Sequence, residues 1–238
     1  LITSEKHSNA SSVVQLSAQN VSVIFGADVA LRDVSFTIRK GEFVGLVGQN
    51  GSGKTTLLRV LLGLLRPTTG QAGVHQATVG YVPQRGQLYS GIVPMSVLEV
   101  VGLGSRGNKA KARQALKSVG MEEFEGQRFN ALSGGQQQRV VIAKALASGA
   151  NVLILDEPTT GVDKANQAEF YKLLKRLHHG GHTIVMVSHD VDSVMSLVSR
   201  VICLNRQIVY DGSPKEFDSE HHLRSLYAVD AHRGGDYV

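Results

Sequence analysis

The chain has 238 residues, 42% of them apolar, enough for one large domain or two lobes around a proper core. Its longest apolar stretch, residues 57–65, is broken by Arg59 and Gly63 and falls well short of the ~18 residues that cross a bilayer, so no membrane-spanning segment is expected. The net charge of +5 comes without a run of Lys and Arg interleaved with aromatics, which sets nucleic acid behind an anionic ligand, an anionic leaflet or a solvated surface.

No secretory leader is legible in a chain that begins at Leu1. Cys203, the single cysteine, stands inside the apolar run 201–204, where a buried core thiol in a cytosolic setting is expected and an internal disulfide is excluded. Residues 1–12 are polar and aperiodic and predict a disordered tail. Residues 21–25 and 34–38 alternate with period two and predict antiparallel strands, with a turn over 39–42. Phe25 closes the first of them beside Gly26; either it stacks on a base or it packs as core.

The apolar run 43–47 then feeds Gly48-Gln49-Asn50-Gly51-Ser52-Gly53-Lys54-Thr55, and a helix-like run follows over 56–65. Gly48, Gly51 and Gly53 lack Cβ atoms, so successive N–H groups can converge on a hollow the size of a phosphate, with Asn50, Ser52 and Thr56 completing the cradle. The helix terminus and its dipole favour an anion there, Lys54 reaches the β- and γ-phosphates, and the Thr55 hydroxyl is a ligand for Mg²⁺. A surface loop with chance glycines would lack the flanking strand and helix, both of which are present.

Residues 66–70 are turn-rich, and 78–82 predict a buried strand that stops at Pro83. Gln84 follows at the strand's carboxyl end, the edge where ligands sit in open α/β sheets, and its amide could meet Mg²⁺ or a water; by itself it is an unremarkable polar residue. Ser96 and Glu99 form a capping box that starts a helix after Pro94, and 109–119 is a second helical stretch, so residues 85–149 predict a helical lobe inserted between sheet strands. The apolar face made by Ile92, Val93, Met95, Val97, Leu98 and Val101 is either core or a groove for a partner's helix.

Leu132-Ser133-Gly134-Gly135-Gln136 opens a helix to about residue 148. It is either an N-cap and turn or a second anion site, and the latter hints at a dimer in which it completes the cradle of another copy. Residues 151–155 read as a strand buried on both faces that delivers Asp156 and Glu157 to the ligand edge. Asp156 there would hold Mg²⁺ through water and Glu157, pointing the other way along the strand, would polarise the attacking water; the plainer option is a solvated acid pair. A helix is expected over 165–177, a buried strand over 183–187, and Ser188-His189-Asp190 at its carboxyl end, where His189 could donate to a γ-phosphate. His178, His179 and His182 are placed in a glycine-rich connector, a solvated loop in preference to a metal site. Residues 201–204 and 207–210 predict a closing hairpin, with mixed helix and tail from Asp211.

Taken together, the phosphate loop, Tyr81-Val82-Pro83-Gln84, Leu132-Ser133-Gly134-Gly135-Gln136, residues 152–157 and Ser188-His189-Asp190 resemble, in order and spacing, the ATP-binding subunit of ATP-binding cassette transporters from about residue 13 to 211. The resemblance implies an α/β fold: a P-loop NTPase, RecA-like core (13–84 and 150–212), an antiparallel β subdomain, an inserted α-helical subdomain (85–149) and a C-terminal segment (213–238). It implies Mg²⁺ and ATP as ligands, Glu157 as catalytic base, Lys54 on the phosphates, His189 as γ-phosphate switch, and Thr55, Gln84 and Asp156 as the Mg²⁺ groups. It further implies a head-to-tail homodimer in which Ser133, Gly134, Gly135 and Gln136 of one copy cap ATP held by the other. Asp163 matches the acid of the loop that crosses the dimer interface, although the residues before it depart from the commonest version. Phe25 stands where Tyr is more usual for stacking adenine.

The partners implied are two integral membrane permease subunits docking near residues 84–101 and, indirectly, an extracytoplasmic substrate-binding protein, with the chain peripheral on the cytoplasmic face of the membrane. Tyr81-Val82-Pro83-Gln84-Arg85, Val93-Pro94-Met95-Ser96-Val97 and residues 157–163 look most like zinc and manganese uptake importers, with siderophore importers the nearest competitor. A soluble cassette ATPase acting on nucleic acid or ribosomes would carry coiled-coil arms or a second cassette, for which this length leaves no room. A non-hydrolysing nucleotide-binding module would not need both Glu157 and His189.

Overall fold

The computed structural model describes residues 13–84, 95–160 and 164–217. In chain order the first half contains β1 (Val14–Phe25), β2 (Asp28–Arg39), β3 (Phe43–Val47), α1 (Lys54–Leu61), β4 (Thr69–Val74), β5 (Val79–Val82), α2 (Val97–Gly104) and α3 (Lys109–Ser118). The second half contains α4 (Gly134–Ala147), β6 (Val152–Asp156), α5 (Lys164–His179), β7 (Thr183–Ser188), α6 (Val191–Met195), β8 (Arg200–Asn205) and β9 (Gln207–Gly212). Residues 1–12, 85–94, 161–163 and 218–238, among them Ile92, Val93 and Asp163, lie outside the described residues.

Two sheets result. An antiparallel one has the order β2-β1-β4; the other has the order β5-β6-β7-β3-β8-β9, parallel throughout except for β9 against β8. Strands β3, β6 and β7 are buried at every position, as continuous apolar runs require of strands covered on both faces. Val44, Leu46, Ile154 and Val187 pack with Leu57 and Leu58 of α1 and with Leu31 and Val34 of the antiparallel sheet. On the opposite face Leu153, Leu155, Ile184 and Met186 pack with Ile142 of α4 and Leu173 of α5. Because these strands run the same way, their carboxyl ends open on one edge, and Gly48, Gln84, Glu157 and His189 all follow strands there.

Helices α2, α3 and α4 lie between β5 and β6 in sequence. The Ser96–Glu99 capping box forms, with the Ser96 N–H donating to Glu99 Oε2 at 2.7 Å. Ser133 and Gln136 make the same box at α4, with the Ser133 N–H donating to Gln136 Oε1 at 2.9 Å. Val97 and Val101 are fully buried and Met95 and Leu98 pack against the same cluster, so these four serve as core. Cys203 is buried, and burial pushes its thiol pKa up to about 12, leaving it unreactive.

Four expectations are corrected. Helix α1 runs from Lys54 to Leu61, not 56–65: it starts as soon as the loop ends, and the Gly63 and Leu64 N–H groups turn back onto the Val60 and Arg59 carbonyls, with Gly63 at φ 69°. The turn-rich stretch after it ends in strand β4, recruited by backbone pairing of Leu16 with Val74 through Gln19 with Gln71. His178 and His179 occupy the last turn of α5 and only His182 lies in the connector. His178 Nε2 donates to the Gly41 carbonyl at 2.8 Å, and among the described residues no group of three or more His, Cys, Asp or Glu could hold a metal. Finally, Glu157 leaves the sheet by a residue at φ 48° and is not an alternate position of the strand. No helix among the described residues is long and apolar enough to cross a membrane.

Arg200 ties the two sheets. Its guanidinium donates to both carboxylate oxygens of Asp211 at 2.6 and 2.7 Å and, through the third nitrogen, to the Thr37 carbonyl of β2 at 2.7 Å. Arg200→Ala leaves the Asp211 carboxylate, 28% exposed, and the Thr37 carbonyl without this donor. Chemical denaturation should show a loss of about 1–3 kcal/mol; an unchanged midpoint would remove Arg200 from any structural role.

Candidate active site

The loop between β3 and α1 is held by contacts that leave no room for side chains. A Cβ on Gly48 would meet the Leu204 carbonyl oxygen and Ser52 Oγ, and one on Gly53, at φ 97°, would meet the Ala30 carbonyl oxygen at 2.6 Å. The loop is also braced from the β8–β9 turn, where the Arg206 N–H donates to the Ser52 carbonyl at 2.8 Å. Gly48 and the buried Ser52 thus form the floor, while Asn50, Gly51, Gly53, Lys54, Thr55 and Thr56 line a cavity of about 770 Å³. That volume is in the range of small-molecule sites. Buried Lys54 spans its own loop, its ammonium donating to the Gly48 and Gln49 carbonyls at 2.7 Å each. Burial lowers its pKa, and the charges of Glu157 and Asp156 oppose that shift.

The same cavity is lined by Phe25, Gln84, Asp156, Glu157 and His189, so four strand ends and the β1–β2 turn contribute to one site. Phe25 is 53% exposed on that wall, which decides against a core role for its ring. Asp156 is buried, and burial raises its carboxyl pKa; Tyr81, whose hydroxyl donates to Asp156 Oδ2 at 3.0 Å, and Lys54 pull the other way, while Glu157 adds to the rise. Glu157 Oε2 accepts from His189 Nδ1 at 2.6 Å and from the Thr160 hydroxyl at 3.1 Å. The Glu157 side chain is 12% exposed and that of His189 is 54% exposed. A carboxylate facing the phosphate end of a cavity, with an imidazole fixing its rotamer, can orient a water and accept its proton.

Ser133, Gly134, Gly135 and Gln136 are not brought into this cavity. Ser133, Gly135 and Gln136 border a second one of about 230 Å³, together with Gln138, Arg139 and Phe170. Three residues at the main site went without a role in the sequence: Tyr81 and Thr160, which bond the two acids, and Arg206, which lines the cavity and braces the loop. Period and spacing carry no signal for such cross-element contacts. The hydroxyl of Thr55, the amide of Gln84 and the carboxylate of Asp156 form an all-oxygen set on the cavity wall, the donor chemistry of a hard cation.

Fold and cavity together place the chain in the class of phosphate-loop nucleoside triphosphatases. The family model of the ABC transporter matches residues 31–160. The zinc import ATP-binding protein ZnuC of Cereibacter sphaeroides is 40% identical over 89% of this chain and 88% of its own. ZnuC of Pseudomonas fluorescens is 39% identical over 90% of this chain and 82% of its own. Among solved structures, an inward-facing metal-chelate type ABC transporter superposes with a TM-score of 0.82 at 31% identity, covering 90% of this chain and 89% of that one. A dimeric ATP-binding cassette bound to ADP and phosphate superposes with a TM-score of 0.71 at 28% identity, covering 85% of this chain and 100% of that one. The chain belongs to the ABC transporter family, as its ATP-binding and ATP-hydrolysing subunit.

The raised pKa of Asp156 means that the fold disfavours its charged form, a cost present above the folded pKa and lost as pH falls through it. Asp156→Asn removes that cost and keeps an acceptor for Tyr81. Without nucleotide the variant should melt above the parent at neutral pH, and the gap should close in acid. An equal or lower melting temperature at neutral pH would contradict the electrostatics assigned to this edge.

Proposed function

We propose that this chain powers the import of a divalent metal cation, zinc, through separate membrane subunits. The observation that carries the enzymatic part is the Glu157–His189 contact of 2.6 Å on the wall of the phosphate-loop cavity. Glu157 acts as general base toward the water that attacks the γ-phosphorus, and His189 steers the carboxylate through Nδ1; only the doubly protonated ring has an Nε2–H to give the γ-phosphate. Lys54 and the loop N–H groups hold the β- and γ-phosphates, and Phe25 stacks on the base. Thr55, Gln84 and Asp156 are the groups that would hold Mg²⁺, which when bound neutralises charge on the phosphates.

The division into core (13–84 and 150–212), helical subdomain (85–149) and C-terminal segment (213–238) belongs to the same proposal. Two copies pair head to tail, with Ser133, Gly134, Gly135 and Gln136 of one completing the ATP site of the other and Asp163 near the crossing loop. The separation of Ser133 and Gln136 from the phosphate cavity of their own chain supports this, as does the dimeric cassette of the same fold. Permease helices dock near residues 84–101, which places the subunit peripherally on the cytoplasmic face, and an extracytoplasmic binding protein supplies the cargo. Zinc rests on the names of the relatives; a metal chelate is the second reading, favoured by the solved transporter of that type.

Glu157→Gln keeps the size and hydrogen-bonding shape of the side chain and removes the base. Hydrolysis, followed by phosphate release, should fall ~10²–10⁴-fold, while ATP binding persists and the ATP-loaded variant elutes as a dimer. Turnover at the parent rate would remove Glu157 from the chemistry.

A further inference from the structure

We propose that Tyr81 is a positioning residue for the Mg²⁺-binding acid: its hydroxyl fixes Oδ2 of Asp156 so that the other carboxylate oxygen, Oδ1, is presented to the cation and its waters. This inference rests on the ATPase reading above and names a residue that the phosphate loop, the acid pair and the imidazole leave out.

The placement follows from register. Strand β5 runs parallel to β6 with Tyr81 opposite Ile154, and Asp156, two residues beyond Ile154, points to the same face of the sheet. The Tyr81 ring packs against the cluster that contains Leu57, Leu58 and Ile154, so α1 and the sheet confine it. Its hydroxyl then reaches Asp156 Oδ2 at 3.0 Å on the wall of the nucleotide cavity.

A buried carboxylate that must bind a cation through one oxygen gains from a neutral donor on the other. The donor fixes the rotamer without adding positive charge that would compete with the metal, and partners of this kind tune metal affinity in other proteins. A phenol has a single hydrogen to give, and here it is directed at Asp156 Oδ2. The bond also ties β5, whose chain continues through Pro83 to Gln84, to the end of β6. Two of the three groups assigned to Mg²⁺ are thereby set relative to one another.

A hydrogen bond that merely satisfied a half-buried phenol would leave the cation dependence untouched, and Tyr81→Phe tells the two apart because the ring and its packing remain. Binding of a fluorescent ATP analogue to the full chain is titrated with MgCl₂ and repeated in EDTA, with thermal melting alongside. The Mg²⁺ concentration at half-saturation should rise about tenfold in Tyr81→Phe, with affinity in EDTA close to that of the parent and a melting temperature only modestly lower, as the loss of one hydrogen bond requires. Coincident Mg²⁺ titrations, or an equal loss of affinity with and without Mg²⁺, would overturn the inference while leaving the ATPase reading intact. Failure of the parent chain to bind the analogue at all would overturn both.

Discussion

The buried ammonium of Lys54 is the constraint around which the site is arranged. A cation at 7% exposure is tolerable only where carbonyl dipoles and nearby acids replace the water it has lost. Here the Gly48 and Gln49 carbonyls bond it directly, and Asp156 and Glu157 supply the field. Two strand ends of the parallel sheet place those four groups, β3 the carbonyls and β6 the acids, so keeping one charge in the interior requires β3 and β6 in register through β7 between them. The positive centre also draws the phosphates of a nucleotide to the hollow above the loop.

That arrangement couples stability to function in opposite directions. Asp156 and Glu157 sit side by side on a partly dry edge, where burial and the neighbouring Glu157 charge disfavour the ionised form of Asp156. The fold accepts this because Tyr81, Thr160 and His189 each give a hydrogen bond to one of the pair. Strain of the backbone contributes as well: Glu157 at φ 48° swings its carboxylate off the strand line and toward His189. Residues in such sparsely populated regions tend to mark functional sites.

Much of the core was legible because burial on both faces leaves an unambiguous trace. Residues 43–47, 152–155 and 184–187 are uninterrupted apolar runs, and each lies in a strand of the parallel sheet. The phosphate loop was legible for a different reason, since glycines at fixed offsets between a strand and a helix have few other uses. Strand β4 was not, because Thr-Gly-Gln-Ala-Gly-Val has no apolar face to alternate and owes its conformation to the edge of β1. The first part of β1 was hidden by register shifts and by Asn20 at φ 50°, which break the period of two. Tyr81 and Arg206 were overlooked as site residues because their roles depend on neighbours 75 residues and about 150 residues away in the chain.

Ser133 and Gln136 border a different cavity from the phosphate loop of their own chain, and the proposed pairing would bring them to the nucleotide of a second copy. All of it presumes that the triphosphate lies on the β3–α1 loop. Calorimetric titration of MgATP into the parent chain and into Lys54→Ala tests that most directly. One nucleotide per chain, bound at least about tenfold more weakly by the variant, a loss of ~1.4 kcal/mol or more, is the expected result. Equal affinity in the two proteins would mean that the nucleotide binds elsewhere.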